Sequence, residues 1–189
     1  MTKSTVLTLV GSLRADSHNK KLAEAIALNA PENVDVQIHG SLGNIPFYNE
    51  DIDVDGQVPA EAAALREAAA NADTLLLVTP EHNGTVPASL KNAIDWLSRP
   101  FGAGALAGKP TAVVGTAFGQ YGGVWAQDEA RKAVGIAGAK VLDDVKLAVP
   151  GSMVRFAELH PKDDAEVVEQ IKGIFEPLTA VQDDEAAAA

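Results

Sequence analysis

The run Val6-Leu7-Thr8-Leu9-Val10 passes directly into Gly11-Ser12-Leu13-Arg14-Ala15-Asp16-Ser17-His18-Asn19 and then into the helical pattern Lys20 to Ala30. A strand that enters a helix through a Gly/Ser-rich turn aims the helix's first unpaired N–H groups at that turn, where hydroxyls also collect. Such a turn holds a phosphate. The dinucleotide fingerprint needs G-x-G-x-x-G and an acid about 20 residues on, whereas here Gly11 stands alone and the second strand ends at Ile38-His39-Gly40. A G-x-x-x-x-G-K-[ST] loop is missing as well. What remains is a pocket lined by Ser, Asn and Arg, suited to one terminal phosphate.

The residues of this turn have separable jobs. Ser12 and Ser17 can donate hydroxyl hydrogen bonds, Asn19 an amide and Arg14 a charged fork. Lys20 and Lys21 fall in the helix's first turn, where a cation is unfavourable by roughly 0.3–1 kcal/mol unless an anion is held there. A plainer reading competes: Ser17 as a helix cap and Arg14 as a solvated turn residue. The rest of the chain bears on the choice.

Four more strand-like runs follow. Val34 to Ile38 alternates, and His39 to Val58 is a long polar connection that reads as a surface excursion. Pro59 opens an alanine-rich helix to Ala70, and Thr74 to Thr79 is the continuous apolar run of a strand covered on both faces. Pro80-Glu81-His82-Asn83-Gly84-Thr85-Val86-Pro87 is turn chemistry, after which Leu90, Ala93, Ile94 and Leu97 mark one face of a helix. On that helix Lys91 with Asp95, and Asp95 with Arg99, have the spacing of surface ion pairs. Thr111 to Thr116 is a fourth strand, followed by the turn Ala117 to Gly123 and a helix with Ala130, Ala133, Val134 and Ala137 on its buried stripe. Lys140 to Val149 reads as a fifth strand, interrupted by Asp143-Asp144 and Lys146, and Val167 to Leu178 as a last helix. This gives one domain over residues 1–181 and a frayed tail over 182–189.

Strands alternating with helices predict a three-layer α/β sandwich: a five-stranded parallel sheet with helices on both faces. Ligands then bind beyond the carboxyl ends of the strands, where the strand order reverses. In the order 2-1-3-4-5, strands one, three and four are neighbours, so their three turn-rich tips converge on one crevice.

Composition narrows what can bind there. A net charge of −11 without a basic block argues against nucleic acid and anionic membrane surfaces as partners. The chain has no cysteine, which excludes a thiolate nucleophile, a disulfide framework and iron–sulfur clusters. Redox chemistry would need an organic cofactor. Four histidines without an H-x-x-x-H spacing predict no metal site. The apolar stretch before Gly11 is too short for a signal sequence, and no run approaches a membrane span, so the expected location is cytoplasmic.

Three motifs in order, Gly11-Ser12-Leu13-Arg14 with Ser17 and Asn19, Thr79-Pro80-Glu81-His82-Asn83-Gly84 leading into Leu90-Lys91-Asn92-Ala93-Ile94-Asp95-Trp96, and Gly119-x-x-Gly122-Gly123, give the chain a resemblance to a known family. It resembles the NADPH-dependent FMN reductases, flavodoxin-like proteins that include quinone and chromate reductases. The resemblance implies FMN, with its phosphate at Ser12, Arg14, Ser17 and Asn19. The ring would lie along Pro80, Glu81, His82, Asn83 and Gly84 and the turn holding Thr116, Gly119 and Gly122. It also implies NADPH or NADH as co-substrate, a quinone, flavin or similar acceptor, and a homodimer or homotetramer. The flavin carries the chemistry, so no protein nucleophile is required.

His82 stands where the family usually has tyrosine, and His18 where it has an aromatic or apolar residue. His82 could stack, donate a hydrogen bond or supply a proton near neutral pH, or simply shape the pocket. Glu81 could touch nicotinamide or a partner subunit, or be solvated. Tyr121 and Trp125 could cover the flavin edge, meet another subunit or pack in the core. The rival function is a flavodoxin-type electron carrier that binds FMN without catalysing hydride transfer, although carriers tend to sandwich the ring between aromatics, which form only 5% of this chain.

Overall fold

The structure, a computed structural model, describes residues 3–187, with side chains through 179. Its elements are β1 (Ser4–Val10), α1 (His18–Leu28), β2 (Val34–Ile38), α2 (Ala60–Asn71), β3 (Thr74–Val78), α3 (Ala88–Leu97), β4 (Pro110–Thr116), α4 (Val124–Ile136), β5 (Lys140–Val141), β6 (Ala148–Val149), α5 (Ser152–Arg155) and α6 (Ala165–Ala187). The main sheet is parallel in the order β2-β1-β3-β4-β5.

Strand alternation divides the core in two. Val6, Leu76, Val78, Ala112 and Val114 face α1 and α6, meeting Leu22, Ile26, Ile171 and Phe175. Leu7, Leu9, Leu75, Leu77 and Val113 face α2, α3 and α4, meeting Leu65, Leu90, Trp96 and Val134. Each such fully buried aliphatic side chain contributes roughly 1.5–3 kcal/mol. Because both faces are covered, β3 is buried along its whole length, as its unbroken apolar run requires.

The fifth strand departs from its expected span of 140–149. It splits into β5, which pairs with Pro110 and Thr111, and β6, which pairs with Gly115 and Thr116. The exposed Asp143 and Asp144 fall in the turn between them. The gap leaves the Val113 carbonyl without a strand partner on that edge, and Arg131 Nη2 donates to it at 2.7 Å. At the carboxyl end of the chain the backbone is helical through Ala187, where the sequence predicts a frayed tail from 182, and residues 188–189 lie outside the described residues.

The excursion between β2 and α2 is fastened to α3. Asn92 Oδ1 accepts from Tyr48 N at 2.8 Å while its Nδ2 donates to the Pro46 carbonyl at 3.0 Å, and Trp96 Nε1 donates to that same carbonyl at 2.8 Å. Arg66 closes the excursion's far end with two bonds to Asp53, at 2.6 and 2.8 Å, and one to the Trp96 carbonyl at 3.0 Å. Of the two ion pairs expected on α3, Lys91 with Asp95 forms at 2.7 Å. Asp95 with Arg99 does not form among the described residues, and Arg99 lies over the Tyr48 ring instead, 5.6 Å from its centre.

Candidate functional site

The loops after β1, β3 and β4 rise side by side, and each pair of them is joined. Asn19 joins the first to the third, with Nδ2 donating to the Thr116 carbonyl at 2.9 Å and Oδ1 accepting from Thr116 N at 3.0 Å. Ser89 joins the first to the segment after β3, donating from Oγ to the Gly11 carbonyl at 2.8 Å. Glu81 joins the second to the third, its Oε2 accepting from Ala126 N in the first turn of α4 at 3.4 Å. A carboxylate at a helix N-terminus also meets the positive end of the macrodipole.

In the first loop, Ser17 has extended backbone angles and caps α1, its Oγ accepting from Lys20 N at 3.2 Å. It is buried, with its hydroxyl proton still available to donate. The next two N–H groups, of His18 and Asn19, have no partner among the described residues, as expected at N1 and N2 of a helix. Asp16 faces water and pairs with Lys21 at 2.5 Å. Ser12 is half-buried, and Arg14 is exposed without a hydrogen bond among the described residues. Burial chiefly, then the charges of Arg14 and Lys21, push the His18 pKa below its ordinary value, while its ring meets Phe156 edge-on at 6.0 Å. The set therefore presents two hydroxyls, two free N–H groups and a guanidinium.

The second loop is a tight hairpin turn. His82 N donates to the Thr85 carbonyl at 3.0 Å and Thr85 N to the His82 carbonyl at 3.1 Å, with Asn83 at φ 53° and Gly84 at φ 77°. Positive φ at both central residues is what a type I′ turn demands and what Asn-Gly supplies. His82 and Asn83 are exposed at its tip, while Pro80, Glu81 and Gly84 are half-buried.

Glycine lets the third loop pass close to β6. A Cβ on Gly122 would lie 2.5 Å from the Ala148 carbonyl carbon, and Gly122 itself sits at φ 63°. Gly119 is exposed, and Thr116 is buried with its hydroxyl donating to the Val149 carbonyl at 2.7 Å. Tyr121 and Trp125 stand at the rim, more than half exposed, their rings 5.9 Å apart. Neither is in the core.

The twelve predicted residues lie on the loops after β1, β3 and β4 and on the elements that flank them, and three of the twelve already serve the fold. Asn19 and Thr116 are committed to each other, and Glu81 to α4. Sequence reasoning missed Ser89, Gly115 and Gln127. Gly115 lets the chain leaving β3 cross over β4, since a Cβ there would be 2.1 Å from the Thr79 carbonyl oxygen. The buried Gln127 donates to the Gly122 carbonyl at 3.3 Å. An interior glycine in a strand is a signal of close backbone approach and could have pointed to Gly115; a polar residue on a helix's buried side could have pointed to Gln127.

This parallel sheet with its convergent carboxyl-end loops is a flavodoxin-like fold. Over residues 4–153 the chain matches the model of the NADPH-dependent FMN reductases and belongs to that family. It is 44% identical over 126 residues to a 2-hydroxy-1,4-benzoquinone reductase of a Burkholderia species, covering 67% of each chain. To a quinone reductase of Escherichia coli K12 it is 39% identical over 141 residues, covering 75% of this chain and 74% of that one. Among solved structures it is similar to a flavoenzyme NAD(P)H:(acceptor) oxidoreductase from Paracoccus denitrificans, with a TM-score of 0.84 and 28% identity, covering 95% of this chain and 98% of that one.

Proposed function

We propose that this chain is an FMN-dependent NAD(P)H oxidoreductase that passes electrons to quinones or similar small acceptors. The observation that carries the reading is the triangle of bonds fixing the three loops, Asn19 to Thr116, Ser89 to Gly11 and Glu81 to Ala126. A site for a flat phosphorylated ring needs its phosphate end and its ring end held at a fixed separation.

The residues present fit FMN. Ser12, Ser17, Arg14 and the N–H groups of His18 and Asn19 form the donor set that a terminal phosphate needs. Pro80 to Gly84, with Gly119 and Gly122, provide backbone with little side-chain bulk on which a ring can lie. Bound FMN would accept hydride from the nicotinamide and return the electrons to the acceptor. The protein's contribution is to hold the ring with one face open and to offer backbone donors to its polar edge. Asn19 and Thr116 act as positioning residues. His82, exposed at the turn's tip, borders the opening.

The reading includes assembly with a second copy of the chain. A cavity of about 550 Å³ between α3 and α4 is lined by Ile94, Ala133 and Ile136, with Phe101 88% and Ile136 77% exposed at its edge. Lys91, Asp95, Glu129 and Lys132 put both signs of charge around it, which suits the self-complementary contact of a two-fold dimer.

Anaerobic mixing of the FMN-loaded protein with NADPH or NADH tests the function. Bleaching of the flavin followed by recolouring with a quinone is expected. A flavin that stays yellow with both nucleotides would replace the reductase with an electron carrier. No helix among the described residues is long and apolar enough to cross a membrane.

A further inference from the structure

Gln127 lies on the inner side of α4, 1% exposed, beside Ala126, Ala130 and Val134. Both ends of its amide are used. Oε1 accepts from Arg131 Nη2 at 3.5 Å, and because a guanidinium only donates, Nε2 is the end that faces the Gly122 carbonyl, to which it donates at 3.3 Å. Arg131 is itself fixed, by Nη2 on the Val113 carbonyl at 2.7 Å and by Nη1 on Asp128 at 3.1 Å. A line of bonds therefore runs from β4 through Arg131 and Gln127 to the third loop.

Holding that carbonyl also sets the next N–H. Gly122 and Gly123 share one planar trans peptide, so the Gly123 N–H points opposite to the Gly122 C=O. With the carbonyl drawn to Gln127, this N–H is turned away from α4, and it has no partner among the described residues although Gly123 is buried. A buried backbone donor without an acceptor is rare and calls for one from outside the chain. Gly123 sits between the second and third loops, since a Cβ there would lie 3.2 Å from Ala117 Cβ and 3.6 Å from Glu81 Cβ. Its φ is 82°, and glycine tolerates either sign of φ. Sterics at Gly123 therefore leave the peptide free to turn over, and the Gln127 amide selects one orientation.

We propose that Gln127 is a positioning residue for bound FMN: through the Gly122 carbonyl it aims the Gly123 N–H at the polar edge of the flavin ring. The inference rests on the FMN reading above, yet the two fail separately. A donor held there favours the form with more negative charge on that edge, the reduced one. Gln127 thus acts on the flavin's affinity for electrons without touching the ring.

The test uses the full chain with FMN, native and as Gln127→Met or Gln127→Glu. Met keeps the length and removes the donor, whereas Glu keeps the Arg131 contact and offers the peptide an acceptor in place of a donor. In the native protein the Gly123 amide proton should move downfield in NMR on adding oxidised FMN, and should exchange with solvent about tenfold or more slowly. Both responses should vanish in either variant, and either variant alone decides this arm. Gln127→Met should also weaken reduced FMN about tenfold more than oxidised FMN, equal to a fall of about 30 mV in the two-electron potential. A residue that only supports α4 would lower stability and weaken both redox forms alike.

FMN bound with no response at Gly123, or a potential unchanged in Gln127→Met, would overturn the proposal and leave the cofactor reading intact. A protein that binds no flavin would overturn both. If the Gly123 response and the potential follow Gln127 but neither NADPH nor NADH reduces the flavin, the reductase reading falls and the positioning role stands.

Discussion

Asn19 and Thr116 hold each other through both ends of one amide: the donor reaches the Thr116 carbonyl at 2.9 Å and the acceptor takes the Thr116 N–H at 3.0 Å, with both residues buried. The pair joins the first turn of α1 to the carboxyl end of β4, and so joins the proposed phosphate end of the site to its proposed ring end. Asn19→Ala strands two buried backbone groups, at a cost of about 1–3 kcal/mol each. Chemical denaturation should show the loss. FMN should bind at least tenfold more weakly, because the two ends of its site would no longer be held in register.

Glu81 gives a different kind of prediction, since its carboxylate serves α4 from the adjacent loop. Glu81→Ala should cost about 0.5–2 kcal/mol, as loss of an N-cap does, and should raise KM for the acceptor by freeing the Tyr121 and Trp125 rim. Glu81→Gln keeps an oxygen acceptor and should fall between native and Ala. Denaturation and steady-state kinetics measured on the same variants would show whether stability and KM move together.

The sheet order was legible because each central strand is a short apolar run ended by turn residues. The meeting of three loops then followed from topology alone, without any knowledge of side chains. Strand five was not legible as two pieces: the repair of the gap depends on Arg131 reaching Val113, a contact between elements that no local pattern records. The same reason hid the docking of the excursion from residue 39 to 58. Asn92 and Trp96 read as part of a helix motif, but their polar atoms serve Pro46 and Tyr48, more than forty positions away. Glu81 was ambiguous because a loop carboxylate's partner is chosen by the fold, whereas Ser17 was a cap by its position alone.

Acid should weaken the fold through two salt bridges. Hydrogen bonding to Arg66 holds the Asp53 pKa below its ordinary 3.8, and hydrogen bonding to Arg155 does the same for Asp164. A carboxylate with a depressed folded pKa contributes stability that is present above its unfolded pKa and lost as pH falls through the folded one. Denaturation free energy should therefore hold steady down to about pH 5 and decline below pH 4. Asp164→Asn should lower stability at neutral pH and flatten that acid decline, as urea titrations at several pH values would reveal.

His18 should report occupancy of the phosphate loop. Its pKa lies below 6.5 because of burial first, then the positive charges of Arg14 and Lys21. With the folded value depressed, the group's stability contribution is present above 6.5 and is lost as pH falls through the folded value. A dianionic phosphate among Ser12, Arg14 and Ser17 would favour the protonated ring and raise that pKa. NMR titration of the imidazole should show an upward shift on adding FMN and none on adding riboflavin.

The most direct test of the central claim is a fluorescence titration of the cofactor-free protein with FMN and, separately, with riboflavin. One FMN should bind per chain, with riboflavin bound at least tenfold more weakly because the α1 loop loses its anion. A protein that binds neither, or both equally well, would contradict the assignment of the three loops to a single phosphorylated flavin.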